Sequence, residues 1–475
     1  MAGYVEGVDR DQATLFPDRL DDFIDADNPV RVVDAFVDAL DLRTLGFART
    51  VPAGMGRPGY HPAVLLKLYI YGYLNRIPSS RRLEREAARN VELMWLTGRL
   101  APDHKTIADF RRDNGPAIKR VCGQFILLCR KLGLFGDAVI AIDGSKFKAV
   151  NNRDQNFTPA KMARRLAEIE AAIARYMAEM DGADGEPGGE ARIEHLEQTL
   201  ASLHATMAAL KLVDEQLRAS TDGQVSLTDA DARSMNARGS GIVGYNVQAA
   251  VEAGHHLVVA HDVVTTGSDR AQLSPMARAV QEATGASAIE VVADRGYYSG
   301  REVLACEDAG IAAHVPKTIT SNAVADGRFG KDDFVYESSS DSYRCPAGQE
   351  LTHRATTIEN GMRLHIYWTS GCATCSLRVH CTTGSERRVR RWEHEHVLDA
   401  MAMRLTRRPE LMQVRRSTVE HVFGTLKHWM GATHFLTRGL ANVRTEISLQ
   451  VLAYNMKRVM CIVGLAPLMA AIKAG

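Results

Sequence analysis

Between residues 162 and 210, apolar side chains recur in two trains at alternating spacings of four and three. The first runs Met162, Leu166, Ile169, Ile173, Tyr176, Met180; the second runs Ile193, Leu196, Leu200, Leu203, Met207, Leu210. That alternation is the seam of a coiled coil. The stretch DGADGEPGGE between the trains is rich in helix breakers. Neither helix can bury its stripe alone, so the pair must fold back as an antiparallel hairpin spanning residues 157–220. Such an arm is an interaction or spacer element rather than a chemical site.

The sequence around the arm has a different texture, which makes the arm an insertion. Upstream, DAVIAIDGSKFKAV is a short β-type run ending in polar residues. Downstream, GIVGYNVQAAVEAGHHLVVAHDVV reads as two strands joined at Ala253-Gly254, a hairpin signal. A helix follows over 270–283, then the buried strand AIEVVADRGYYS. The helix REVLACEDAG closes at Gly310 and is followed by the short strand AAHVPK. Strand, hairpin, helix, strand, helix, strand predicts a mixed sheet covered by helices. A second insertion, residues 325–395, contains Cys345, Cys372, Cys375 and Cys381.

Residues 61–130 read as helical throughout. HPAVLLKLYIYGYLN starts with Pro62 near a helix N-terminus and is apolar on most sides, which predicts burial. Ser79 or Ser80 is the expected cap of the next helix, and Asp103 of the one at PDHKTIADFRRDN.

The net charge of +1 gives no global argument for a polyanionic partner, but its distribution does. Residues 1–50 hold 5 Arg against 11 Asp or Glu, an acidic segment extending to residue 56. Residues 57–130 hold 14 Lys or Arg against 6 acids, and residues 404–458 hold 10 against 3. Two basic blocks in a neutral chain point to nucleic acid. The helical module 57–135 then reads either as a DNA reader using Arg81, Arg82, Arg111 and Arg112, or as a bundle with a solvated basic face.

The acidic start lacks a basic-then-apolar export signal, and the C-terminal VMCIVGLAPLMAAI is too short to span a membrane. That stretch reads as a buried terminal helix, leaving 461–475 as an apolar tail. Eight cysteines with no export signal imply a reduced cytoplasm, where clustered thiols suggest metal rather than disulfides.

Candidate chemistry begins with the carboxylates. Asp143 sits at the polar end of VIAID, and Asp294 closes IEVVAD before Arg295-Gly296. In QVRRSTVEHVFGTLKHWMG, placing Glu420 at zero on a helical wheel puts Arg416 near about −40° and Lys427 near about −20°. They form a polar stripe beside Val419, Phe423, Leu426 and Met430. Alone, such a stripe more commonly means a surface salt-bridge ladder on an amphipathic helix. Three converging carboxylates stay ionised only around metal, and hard oxygen ligands favour Mg²⁺ or Mn²⁺. His421 falls off the stripe and reads as a packing or surface residue.

The order strand–Asp143, hairpin, helix, strand–Asp294, insertion, helix–Glu420 resembles the RNase H-like core of the DDE transposases of bacterial insertion sequences. AIDGSKFKAVN, TDADARSM, GYNVQAAVE, VVADRGYYS and STVEHVFGTLKHWMG each resemble blocks of that family. The N-terminal HPAVLLKLYIYGYLNRIPSSRRLEREAARNVELMWLTG resembles the helical domain that precedes its catalytic core. The resemblance runs from about residue 15 to 460. It implies an RNase H-like mixed sheet at 136–324 and 396–460, preceded by the all-helical domain and interrupted by the two insertions.

By the same resemblance, Asp143, Asp294 and Glu420 would bind two Mg²⁺ or Mn²⁺ ions. Arg416 and Lys427 fit the family's Tyr–x2–Arg–x3–Glu–x6–Lys spacing and would hold phosphates of a DNA end. Gln413 occupies the tyrosine position, which loses a stacking face. The partners implied are the element's terminal inverted repeats and target DNA, held by a homodimer or larger assembly in the bacterial cytoplasm, on the nucleoid, with no membrane. A DNA-binding descendant without chemistry and a general nuclease are the alternative readings.

Cys345, Cys372, Cys375 and Cys381, with a CxxC at 372–375, supply the four thiolates of a closed structural Zn²⁺ site. The competing reading is four ordinary thiols in a variable loop. Cys122 and Cys129 lie one heptad apart on an apolar helix and read as core.

Overall fold

The computed structural model describes residues 19–52, 58–135, 139–183, 190–237, 240–318 and 322–474. The first eighteen residues of the acidic segment and residues 184–189 of the arm's linker lie outside the described residues.

Short helices open the chain, and local capping explains their limits. In Pro62–Leu74 the His61 ring accepts from Ala63 N, and Pro62 occupies the first turn, where a missing N–H costs nothing. Asn90 caps Val91–Thr97, which ends at Gly98 in the left-handed region. Asp103 accepts from Lys105 N and Thr106 N, both at 3.0 Å, at the head of His104–Asp113. Ser79 occupies the cap position of Ser80–Ala87 but makes no side-chain capping bond. Pro62–Leu74 is buried on nearly all sides, as its composition predicts.

The central sheet begins with β1 (Ile140–Lys148). A two-residue ladder, β2 (Asn156–Phe157) with β3 (Val225–Ser226), closes the base of the arm. The arm is two helices, Pro159–Ala183 and Glu190–Ala219. Met162, Ile169, Met207, Leu210 and Leu217 are buried in its seam, so the start of one helix meets the end of the other.

The sheet continues with β4 (Arg233–Ala237), β5 (Ser240–Glu252), β6 (Val258–Val264), β7 (Ile289–Val292) and β8 (Ile311–His314). Its order is β4-β5-β1-β7-β8, with β6 also paired to β5. The β5–β6 turn falls at the predicted Ala253-Gly254. Helix Leu273–Thr284 and helix Gly300–Asp308, ending before Gly310, follow the predicted order.

Residues 325–395 form more than a cysteine-bearing loop. Strands β9 (Val335–Glu337), β10 (Ser342–Arg344), β11 (Glu350–Glu359), β12 (Met362–Trp368) and β13 (Val389–Trp392) make an antiparallel sheet of their own. Phe334, Tyr343, Leu351, Tyr367 and Val389 are its buried apolar residues.

Helix Leu440–Val463 runs through the interior and joins the two halves. Its N-terminus is held by Asp229, which accepts from Gly439 N at 3.0 Å, and by Asp231, which accepts from Leu440 N at 2.7 Å. Carboxylates there satisfy orphan N–H groups and favour the helix dipole. This gives the TDADARSM block a structural role. The predicted single terminal helix is instead two helices meeting at 112°, because Gly464 adopts a φ of 80°. Among the described residues no single helix is long and apolar enough to cross a membrane. One hydrophobic core runs from Ile24 and Val33 through Tyr69 and Phe125 to Val247, Val419 and Leu449.

Candidate active site

β1 pairs with β5 along all nine residues, Ile140 to Lys148, but its parallel ladder with β7 covers only Ile140–Val291 and Ala141–Val292. Asp143 is therefore inside a strand rather than at its end, beside the point where the parallel partner runs out. Continuing that register by two residues sets Asp294 opposite Asp143. Asp294 then caps a short 3₁₀ turn, accepting from Gly296 N at 2.8 Å, while Asp143 Oδ1 accepts from Gly144 N at 2.8 Å.

One nitrogen joins the two acids. Arg415 Nη2 lies 2.7 Å from Asp143 Oδ1 and 3.3 Å from Asp294 Oδ2. Burial pushes the Asp143 carboxyl up to about 6; the Arg415 charge opposes this and the negative charges of Asp294 and Asp269 add to it. Asp143 is the more enclosed acid, its side chain 22% exposed against 43% for Asp294.

Arg415 and Glu420 share the helix Leu411–Gly424, five residues and so about 140° apart around its axis. Arg415 is turned toward the aspartates, whereas Glu420 is exposed. Among the described residues no three His, Cys, Asp or Glu side chains stand together as a metal cage. The structure thus brings Asp143 and Asp294 together and leaves Glu420 outside the pair.

Beyond Gly424 the helix loosens into a π turn, Thr425–Trp429, with Met430 N bonded to Thr425 O at 2.9 Å. A wheel of 3.6 residues per turn takes no account of such a turn, so the position of Lys427 is read from its bonds. Its amine donates to Ser145 Oγ at 2.7 Å and to the Lys146 carbonyl at 2.9 Å, and lies 4.4 Å from the Phe147 ring centroid. Arg416 and Gln413 are exposed. Arg416 lines a cleft of about 900 Å³ together with Asp294, Arg295, Lys317, Met412 and Arg415.

The helical module divides its arginines. Arg81 and Arg82 are exposed, and Arg82 borders a cavity of about 270 Å³ shared with Phe147, His434 and Gln450 of the sheet half. Arg112 is exposed but paired with Asp109 at 2.6 Å and Asp113 at 2.9 Å. Arg111 is turned inward, 5.5 Å from the Tyr69 ring centroid and in the field of buried Glu446. A basic count along the helix could not separate these because it ignores which face packs on Leu440–Val463.

Several residues of the site carried no sequence signal that singled them out. Asp269 Oδ1 accepts from Asn246 Nδ2 and Gln248 Nε2, both at 2.7 Å, and Lys146 Nζ lies 3.3 Å from its other oxygen. Asn246 and Gln248 are fully buried, and the Tyr297 hydroxyl donates to Gln248 Oε1. This network ties β1 and β5 to the turn that presents Asp294. A Cβ at Gly144 would crowd Gln248 Nε2 and fall 2.6 Å from Asp269 Oδ1, so any side chain there would force this network to shift. Two amides alternating on an otherwise apolar strand, in YNVQAA, were the available clue.

The four clustered cysteines are each half-buried and line one cavity of about 20 Å³ with Phe334 and Leu351. Cys345 lies in a tight turn, with Gly348 N bonded to its carbonyl at 2.8 Å and its own N–H bonded to Gln349 O at 3.0 Å. Burial pushes the Cys381 thiol up. Cys122 and Cys129 are buried as read. His421 is exposed, with its ring centroid 4.8 Å from that of His256.

Residues 18–113 match a family model described as Transposase domain (DUF772), and residues 344–460 match one described as Transposase DDE domain. The second match contains Glu420 and Lys427; Asp143 and Asp294 lie outside both. No curated protein and no solved structure matches the chain.

Proposed function

With a transposase domain at one end and a transposase DDE domain at the other, the chain is a DNA transposase of the insertion-sequence DDE class, and we propose that it cuts and joins DNA by divalent-metal chemistry centred on Asp143, Asp294 and Glu420. The observation that carries this reading is the single Arg415 nitrogen between Asp143 and Asp294. Two acids, one on β1 and one just past β7, already share one cation at 2.7 and 3.3 Å. Hard carboxylate oxygens in that arrangement fit Mg²⁺ or Mn²⁺. The antiparallel strands β1, β5 and β6 continuing into parallel β7 and β8 support the RNase H-like core.

Asp143 and Asp294 would hold cations from the floor of the sheet, and Glu420, exposed and outside the pair here, would have to turn toward them to complete the site. When bound, two such ions supply charge that activates a water and stabilises the leaving oxygen of a phosphodiester. The water oxygen attacks phosphorus in line, the bond to the 3′ oxygen breaks, and a free 3′-hydroxyl results. That hydroxyl would then attack a phosphorus of target DNA, forming a new phosphodiester as the target strand's 3′ oxygen leaves and takes up the proton, with no covalent link to the protein. Arg416, on the cleft, and Lys427, whose amine reaches β1, are suited to fix backbone phosphates of the element's end. Arg81 and Arg82 present exposed charge for the same duplex. Holding two ends at once calls for at least a homodimer.

The test is cleavage of a DNA fragment carrying the sequences that flank the gene, with Mg²⁺ or Mn²⁺. Nicking at the element boundary that disappears in Asp143→Asn supports the reading. Selective binding without cleavage by the unaltered chain would make it a DNA-binding descendant instead.

We propose a structural Zn²⁺ for the cysteine-bearing sheet. Five buried apolar residues are a small core for a separate sheet, and such units usually need a staple. Four thiols border one cavity, the donor number of a closed site, though among the described residues no three of them stand together as a metal cage, so they would have to draw in around the ion. Elemental analysis of the purified chain tests it.

A further inference from the structure

Arg415 falls outside the Arg–Glu–Lys spacing, yet it is the side chain that meets both aspartates. Its manner of binding is unusual for an arginine. A guanidinium normally grips a carboxylate with two parallel N–H bonds. Here one nitrogen, Nη2, serves two carboxylates on different elements, and the buried Nε has no hydrogen-bond partner among the described residues. The aspartates meet Arg415 as a point charge, the way they would meet an ion. The side chain is 13% exposed, and its flank opens on the cleft of about 900 Å³ that Arg416 also lines. It has somewhere to withdraw.

Resting on the reading of Asp143 and Asp294 as cation ligands, we infer that Arg415 is a positioning residue that stands in for the divalent ion, holding the two acids together until the ion takes its place. Without a positive charge there, two close carboxylates repel and the Asp294 turn is pushed away from β1. With the ion present, Arg415 and the ion repel each other, so the guanidinium withdraws into the cleft, where Asp332, Glu395 and Asp399 offer it carboxylates. That adds a cation to the wall a DNA backbone would follow. Ion binding and DNA binding then favour each other, by the reciprocity of linked equilibria.

The test uses the full chain without DNA and follows Mn²⁺ binding by calorimetry and by thermal melting. Arg415→Ala is expected to melt below the unaltered protein in metal-free buffer. It is expected to bind Mn²⁺ about tenfold more tightly, because the ion no longer displaces a charge. Its melting point should therefore rise more on adding Mn²⁺. A merely structural arginine would lose stability and metal affinity together. Arg415→Gln, which keeps most of the side chain without its charge, makes the same comparison if the alanine variant does not fold. Equal or weaker Mn²⁺ binding by these variants overturns the inference. Asp143→Asn separates the two layers: if it binds Mn²⁺ as the unaltered chain does, the aspartates are not the ligands and the underlying reading falls as well.

Discussion

Lys427 donates to Ser145 Oγ at 2.7 Å, which pins the helix bearing Glu420 to the strand bearing Asp143. Ser145 is two residues past Asp143 on the same strand. The second bond, to the Lys146 carbonyl, and the Phe147 ring make this a docking joint as well as a charge.

Lys427→Met keeps the aliphatic stem and removes the donors. Stability is expected to fall by about 1.5–3 kcal/mol, the range for hydrogen bonds from a charged group. A lower urea midpoint at unchanged slope would show it. Binding of element ends should weaken too, with some Mn²⁺-supported cleavage left. An unmoved midpoint would reduce Lys427 to a phosphate contact.

The three acids should behave as a unit. Asp143→Asn, Asp294→Asn and Glu420→Gln are each expected to lower strand cleavage by about 10²-fold or more, from lost charge stabilisation. Double variants should be little worse than singles. End binding, followed by gel shift, should survive in all of them. Parental cleavage by Glu420→Gln would remove it from the site and leave the aspartate pair.

Much of this arrangement was legible in the chain because periodicity and breakers are local. The arm, the β5–β6 hairpin and the helix stopped by Gly310 follow directly from spacing. Asp143 and Asp294 could be paired because both follow short apolar runs that a parallel ladder would align. What escaped depends on packing. A wheel cannot anticipate the π turn at Thr425–Trp429 or the bonds that Lys427 makes to β1. Of the adjacent Arg415 and Arg416, the family spacing selects the exposed one. Arg111 looks like its neighbour Arg112 until Leu440–Val463 covers it. Asp269 lies in a loop, and its importance comes from two amides more than twenty residues earlier.

Gly144→Ala tests that loop contact. The new methyl would press on Asp269 Oδ1, and overpacking of this kind costs about 1–3 kcal/mol. A lowered melting temperature and weaker cleavage are expected together. An unchanged melt would show that β1 and the Asp269 loop can part without loss.

The purified chain is expected to hold about one Zn²⁺, by the four-ligand logic of structural sites. Cys372→Ser should release it and increase amide exchange across residues 325–395 while the central sheet stays protected. Metal-free protein with full activity would return the cysteines to ordinary thiols.

Within the arm, Leu196 is buried and Leu203 is only partly so. Leu196→Ala should cost about 2–5 kcal/mol locally, as buried leucines do, and Leu203→Ala less. Faster exchange confined to residues 159–219 would show it. Unchanged transposition after deletion of the whole arm would make it a spacer.

The core that runs unbroken from Ile24 to Leu449 limits how this protein can be rebuilt. Cys122 Sγ reaches the Ser448 carbonyl, Arg120 Nε reaches the Leu45 carbonyl, and Arg111 faces Glu446. A cut near residue 135 would therefore not release a recognition module and a cutting module. It would strip Leu440–Val463 of its cover and expose apolar surface on both pieces. If the helical module reads DNA ends as proposed, swapping it onto another chain's sheet would demand a matching interior, and changes of DNA preference would come from exposed side chains such as Arg81 and Arg82. The arm and the cysteine-bearing sheet, each with its own small core, are where grafts and losses should be tolerated.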